Sequence, residues 1–281
     1  MDEWDISAKD LASYAHEEDG DYVAGPDSMP RSGIPTGSLT EGTLDPGAVF
    51  PGNSHDYWIY RPAVDGSTDA ADLLVVLDGL ELAEEVHLPI VLDNLIHAGD
   101  LPPIVAVFVS PGPNGPGLPV YGGDGNRAAE YNTVGDSLAR FLIEELLPAV
   151  ERDVAITHDP DRRAIFGASS GGSAAFGVAW ERPDSFRKVI SAIGSFVNIH
   201  GADRYSSMVR RHETKPLRVF LQAGSNDLDT VFGHWHLANQ EMAAALAYRD
   251  YDYRLEDGDG GHGLKHITAI LPDALRWLWR D

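Results

Sequence analysis

The chain has 281 residues, 43% of them hydrophobic and none of them cysteine, so it can bury one sizeable core and lacks disulfides, thiolate metal ligands and a cysteine nucleophile. Asp and Glu outnumber Lys and Arg by 44 to 21, giving a formal net charge of −23 that repels nucleic acid and anionic membranes. Such a surface also stays hydrated where concentrated salt screens self-repulsion, the composition expected of a halophilic protein.

Taken in chain order, the opening Met1-Asp2-Glu3-Trp4-Asp5 lacks the positive start and apolar core of a secretory signal. No apolar run approaches the length of a membrane span. A soluble, cytoplasmic protein is expected. Residues 1–40, rich in Asp, Glu, Gly, Ser and Pro, read as an acidic arm, partly disordered or strapped to the surface of a domain formed by residues 41–281. Within that domain Tyr57 to Tyr60 and Leu73 to Leu77 are β-like, Pro89 to His97 is helical, and Ile104 to Val109 is a further apolar run. A long helix is expected over Thr133 to Asp153. Ala164 to Phe166 is a short strand, Gly172 to Trp180 a helix, and Val189-Ile190 a strand running into Gly194. Leu217 to Leu221 and Tyr251 to Leu255 are the last strands, with helices at Leu237 to Tyr248 and Ile267 to Trp279. Strands apolar at every position, alternating with helices, predict an α/β fold: a mostly parallel, doubly wound sheet with helices on both faces.

The chemistry is signalled where the strand around Phe166 meets a helix. Gly167-Ala168-Ser169-Ser170-Gly171 fits G-x-S-x-G, in which the serine stands on a tight strand-to-helix turn and glycines clear the space around it. Ser169 is the candidate nucleophile. The helix that follows points free amides at whatever sits beside it, so the Ser170 N–H can stabilise an oxyanion. A second amide is expected from the turn after Leu73 to Leu77, at Gly79 or Leu80.

A serine hydroxyl needs a base, and the base an orienting acid. Both follow in the chain. "GSNDLD" after the penultimate strand offers Asp227 and Asp229; "GDGGHGLKH" after the last strand offers His262 and His266. His262, flanked by glycines, sits on a loop able to bring an imidazole over Ser169, whereas His266 begins the final helix. Asp227, three residues past Gly224, is nearer the strand end than Asp229, and is the preferred acid.

Blocks in order along the chain then carry a resemblance: "NRAAEY" from Asn126, "FLIEELLPAVE" from Phe141, "GASSGG", "ERPDSFRKVISAIGSF" from Glu181 and "GGHGLKH". Together they resemble the enterochelin esterase-like branch of the α/β-hydrolases, itself similar to the esterase D and feruloyl esterase families. The resemblance runs from about residue 45 to the C-terminus. It implies an α/β-hydrolase fold, Ser169 as nucleophile, His262 as base, a loop carboxylate as acid, and an oxyanion hole at Ser170 and the Gly79-Leu80 turn. The first forty residues do not resemble the substrate-binding N-terminal domain of ferric-enterobactin esterases.

The expected activity is therefore that of a cofactor-independent serine esterase acting on a small-molecule ester, neutral and short-chain or aryl. A siderophore lactone esterase and a non-catalytic binding protein on the same fold are the alternatives. Arg127 is a candidate substrate contact, although it and Glu130, three apart, are rather expected to pair and hold the loop that borders the site. Trp235 either lines an aromatic acyl pocket or belongs to the core. His234-x-His236 lacks the spacing of a zinc motif, so no metal is expected. Nucleic-acid and membrane partners are excluded by charge, and a homodimer is left open. If the acidic surface is an adaptation to salt, the melting temperature should be higher in molar KCl than in dilute buffer; equal melting temperatures would remove that reading.

Overall fold

Runs that are apolar at every position have no side to turn to water, so they pair with one another at the centre of the molecule. In the computed structural model, which describes residues 19–64, 70–115 and 125–280, strands β3 (Asp72–Leu77), β4 (Ile104–Val109) and β5 (Arg163–Ala168) are buried at all six positions. They form the middle of an eight-stranded sheet with β1 (Ser38–Leu44), β2 (His55–Arg61), β6 (Lys188–Ala192), β7 (Arg218–Gly224) and β10 (Asp252–Gly258), in the order β1-β2-β4-β3-β5-β6-β7-β10. Between β7 and β10 lies a small hairpin of β8 (Asp229–Thr230) and β9 (Gly233–His234). The pairs β1–β2 and β2–β4 are antiparallel. The remaining pairs of the eight-stranded sheet are parallel, with Val76 opposite Phe166, Phe166 opposite Ile190 and Ile190 opposite Phe220.

Alternate residues of each strand feed opposite cores. Leu73, Val75 and Leu77 join one cluster, with Phe141, Phe176 and Met242; Leu74 and Val76 join the other, with Val91, Leu95 and Leu271. The first core is covered by α3 (Arg127–Asn132), α4 (Ser170–Glu181), α5 (Tyr205–Arg211), α6 (Trp235–Tyr248) and the helical stretch before β5. The second is covered by α1 (Gly79–Glu85), α2 (Leu88–Ala98) and α7 (Lys265–Trp279). Helices on both faces of a mostly parallel sheet are the doubly wound α/β architecture expected from the sequence.

The differences from expectation have local causes. Helix was expected from Thr133 to Asp153; it begins at Ser137, passes through a π-helical segment over Phe141–Leu146 and ends at Val150. Pro148 has no amide to donate to a carbonyl one turn back, and the widened turn just before it absorbs the missing bond. Strand β1 was not anticipated. Its sequence, SLTEGTL, is largely exposed and offers no buried alternation to detect.

Of the acidic N-terminal segment, residues 1–18 lie outside the described residues. The part that follows is tied down by polar contacts. A turn at Pro26–Ser28 packs on α2 and α7, where the buried Asn94 amide donates to the carbonyls of Asp27 and Met29 at 2.7 and 3.0 Å. Arg276 donates to the Asp27 carboxylate at 2.7 Å, and this bond holds the Asp27 pKa below the usual carboxylate range. Among the described residues, no helix is long and apolar enough to cross a membrane.

Candidate active site

Strand β5 ends at Ala168 and α4 begins at Ser170, so the whole reversal falls on Ser169. Its backbone takes φ 57° and ψ −122°, a conformation that costs a non-glycine residue free energy and that surrounding contacts must impose. Those contacts are tight because the neighbours lack side chains. A Cβ on Gly167 would strike the Gly171 carbonyl, and one on Gly172 would lie 2.8 Å from Ser191 Oγ and 2.9 Å from the Ala192 oxygen. The Ser169 amide donates to that same Ala192 oxygen at 2.9 Å.

Ser169 Oγ stands 2.8 Å from His262 Nε2, and His262 Nδ1 stands 2.6 Å from Asp227 Oδ1. The Asp227 side chain is fully buried and its Oδ1 also accepts from the Leu228 amide at 2.7 Å. Asp229 is exposed on β8. A buried carboxylate on one imidazole nitrogen and a hydroxyl on the other is an arrangement that can take the serine proton as the oxygen attacks an electrophile, and hold the imidazolium that results.

The loops carrying Asp227 and His262 follow neighbouring parallel strands and are stitched together. Gly224 lies so close to Gly260 that a Cβ would collide with the Gly260 carbonyl. Ser225 donates to the Gly258 oxygen at 2.8 Å, and the Asn226 side chain to the Asp259 oxygen at 2.7 Å. On the other side Tyr22 grips Asp259: its hydroxyl donates to the carboxylate at 2.7 Å and accepts from the amide at 2.9 Å. The Tyr22 ring stacks 4.1 Å from His266, which is buried in the first turn of α7 and accepts from Gln222 Nε2 at 3.0 Å. Burial holds the His266 pKa below the ordinary histidine value.

Two residues not singled out by the sequence reading lie at the serine. Ser195, on the loop after β6, places Oγ 3.3 Å from Ser169 Oγ. Trp235 Nε1 donates to Ser195 Oγ at 2.9 Å. With the Ser169 proton directed to His262, the Ser195 proton points at Ser169, and a line of donors runs from Trp235 through the two serines to the imidazole. No spacing in the sequence marks Ser195; it borders Ser169 because β6 lies beside β5 in the sheet. The second such residue is Asp78, at φ 65° ahead of α1, whose amide donates to Tyr131 Oη at 3.1 Å.

Asp78 also corrects an expectation. Arg127 was expected to pair with Glu130, but its Nε and Nη2 reach the Asp78 carboxylate at 2.6 and 2.8 Å. Glu130 turns inward and is buried against His55 Nε2 at 3.2 Å, while also accepting from the Gly112 amide and from Asn126. Burial favours the carboxylate with three donors around it, leaving the partly exposed Arg127 to the carboxylate at the cavity edge. Gly79 and Leu80 lie in the first turn of α1 and Ser170 opens α4, where the leading amides have no partner within the helix.

A cavity of about 490 Å³ opens beside Ser169 and His262. Its walls include Leu82, Pro111, Ile193 and Leu264, and its charged border is Asp78, Glu81 and Glu85 against Arg127. Trp235 is buried behind His262, ring centroids 5.7 Å apart, in a small cluster with Val197, Leu228 and Phe232. His236 bonds Asp257 at 2.8 Å and its ring lies 6.4 Å from that of His234. Among the described residues, no group of three His, Asp or Glu side chains gathers to hold a metal.

A family model described as "Putative esterase" matches residues 54–278. The iron(III) enterobactin esterase of Dickeya dadantii (strain 3937) is 27% identical over 241 residues, 80% of this chain and 52% of that protein. The enzyme of that name from Escherichia coli (strain K12) is 26% identical, over 81% of this chain and 54% of its own length. The chain thus spans about half the length of the curated relatives it matches. Among solved structures, a ferulic acid esterase from Anaeromyces mucronatus in complex with ferulic acid superposes with TM-score 0.72 at 15% identity, covering 92% of this chain and 96% of its own. The enterobactin esterase of Shigella flexneri in the presence of enterobactin does so with TM-score 0.70 at 24% identity, covering 86% and 59%. Both share the α/β-hydrolase fold with this chain.

The geometry distinguishes the two loop aspartates. Asp227→Asn should leave the far-UV spectrum unchanged and lower kcat on an aryl ester by about 10⁴-fold, the cost of presenting the wrong imidazole tautomer. Asp229→Asn should retain near-normal kcat; a dead Asp229→Asn beside an active Asp227→Asn would reverse the assignment.

Proposed function

The chain belongs to the esterase family matched over residues 54–278, and from that premise we propose that it hydrolyses carboxylic esters through an acyl-enzyme on Ser169. The observation that carries this reading is the unbroken hydrogen-bond line from Asp227 to His262 to Ser169, at 2.6 and 2.8 Å. His262 Nε2 takes the hydroxyl proton as Oγ forms a bond to the acyl carbon. The carbonyl oxygen becomes an oxyanion, held by the Ser170 amide and by Gly79 or Leu80. Collapse breaks the bond to the alcohol, which leaves with the proton from His262. Water then attacks the acyl-serine, His262 again removing a proton and returning it to Ser169, and the carboxylic acid departs. These steps use only side chains and amides of the chain.

The border of the cavity supports a neutral substrate. Asp78, Glu81 and Glu85 face one guanidinium, and that guanidinium is already held by Asp78. A ferric tris-catecholate, polyanionic, would meet like charge there and in the net −23 of the whole chain. Short-chain or aryl esters need only the apolar wall and the oxyanion donors. The names of the matched relatives favour a siderophore lactone instead, and one comparison separates the two. Purified protein given a series of short-chain and aryl esters beside ferric enterobactin should show the higher kcat/KM on the neutral esters. Turnover of the ferric siderophore without activity on any simple ester would establish the other substrate.

A further inference from the structure

At the end of the sheet opposite Ser169 the sign of the charge reverses. Strands β6, β7 and β10 begin there, with Lys188 opposite Arg218 and Arg218 opposite Asp252 in register. A cavity of about 500 Å³ opens around these strand starts. Five cations line it: Arg187, Lys188, Lys215, Arg218 and Arg280. Three carboxylates, Asp161, Asp250 and Asp252, face them. In a chain with 44 acidic and 21 basic residues, five cations to three acids among the described residues that line one cavity is a local inversion.

The arginines and lysines are held differently. Arg218 and Arg280 both bind Asp252, at 2.7 and 2.5 Å, and Arg187 binds Asp161 at 2.8 Å. The two lysines are held by neutral groups. Lys188 Nζ donates to the Asp161 backbone oxygen and lies 5.5 Å from the Trp279 ring; Lys215 Nζ donates to the Trp180 backbone oxygen and lies 4.2 Å from the Trp180 ring. Carbonyls and rings orient an ammonium without cancelling its charge. Burial holds both lysine pKa values below the ordinary range, helped at Lys188 by the charge of Arg218 and opposed by Asp72, Asp161 and Asp159 at Lys188 and by Glu181 at Lys215. An anion placed among them relieves both costs.

We propose that this cavity binds a phosphate group, free or carried by a small organic molecule. Lys188 at the start of β6 and Lys215 ahead of β7 line the cavity from different elements, so a ligand that meets both offers acceptor oxygens in more than one direction. A tetrahedral phosphate does so; a planar carboxylate presents two oxygens in one plane. The site is independent of the proposed esterase chemistry: Asp227 and His262 follow the C-terminal ends of β7 and β10, whose N-terminal ends line this cavity, and Ser169 follows the C-terminal end of β5, parallel to β6.

The test is a thermal-shift and calorimetric titration of the full chain with inorganic phosphate and with glycerol 3-phosphate, each against sodium chloride at equal ionic strength. A saturable rise in melting temperature with phosphate beyond that with chloride supports the site. The double variant Lys188→Gln/Lys215→Gln should keep its far-UV spectrum and bind at least about tenfold more weakly, the loss of about 1.4 kcal/mol. Binding of inorganic phosphate identifies the free ion as sufficient, and binding of glycerol 3-phosphate alone identifies an organic phosphate. A chloride control that matches phosphate, or a folded double variant that binds as tightly as the wild type, overturns the proposal. Should the double variant not fold, the chloride comparison on the wild-type chain decides by itself.

Discussion

The absence of a Cβ at Gly167 and Gly172 lets the first turn of α4 sit directly on the ends of β5 and β6. That contact fixes where Ser169 points. With its amide bonded to the Ala192 oxygen and its own carbonyl accepting from the amides of Gly172 and Ser195, Ser169 cannot relax out of its positive φ without breaking the junction of strand, helix and neighbouring loop. The strain is local; the bonds that resist it are spread over three elements. The same turn that exposes Oγ also presents the Ser170 amide, so placing the proposed nucleophile and placing the proposed anion donor are one structural act.

Around this turn the molecule is arranged to hold loops that a sheet alone leaves free. The loop after β7 and the loop after β10 touch at Gly224 and Gly260, and their mutual hydrogen bonds put Asp227 and His262 in one unit. Tyr22, from the segment before β1, clamps that unit through Asp259 and His266. On the opposite side Arg127 ties Asp78 to α3, while Glu130 and His55 anchor the loop after β4 from below. Of these side-chain pairs only Glu130–His55 is buried, and a buried, satisfied pair fixes geometry more than it adds stability. Their placement at the strand ends reflects what they must hold still.

Legibility in the sequence followed burial. Strands β3 to β5 announce themselves because both their faces are covered, and Asp227 and His262 stand out because each follows a readable strand at a glycine. Strand β1 left no signal, being mostly exposed. Helix α1 was hidden behind Asp78-Gly79, which reads as a turn and is in fact the left-handed entry to a helix. The partner of Arg127 was misread because sequence spacing favoured Glu130, whereas inward burial of Glu130 decides the pairing. Ser195 joins the site through adjacency of β5 and β6, a relation of strand order that no spacing along the chain encodes, and Trp235 reaches Ser195 from the start of α6.

The central claim is that Ser169 is activated by His262 within this frame, and an active-site-directed fluorophosphonate tests it with no assumption about the natural ester. The account predicts one phosphonyl group per chain, located by peptide mass at Ser169, with labelling slowed by orders of magnitude in His262→Ala. A folded wild-type chain left unlabelled, or labelled at another residue with Ser169 untouched, would contradict it.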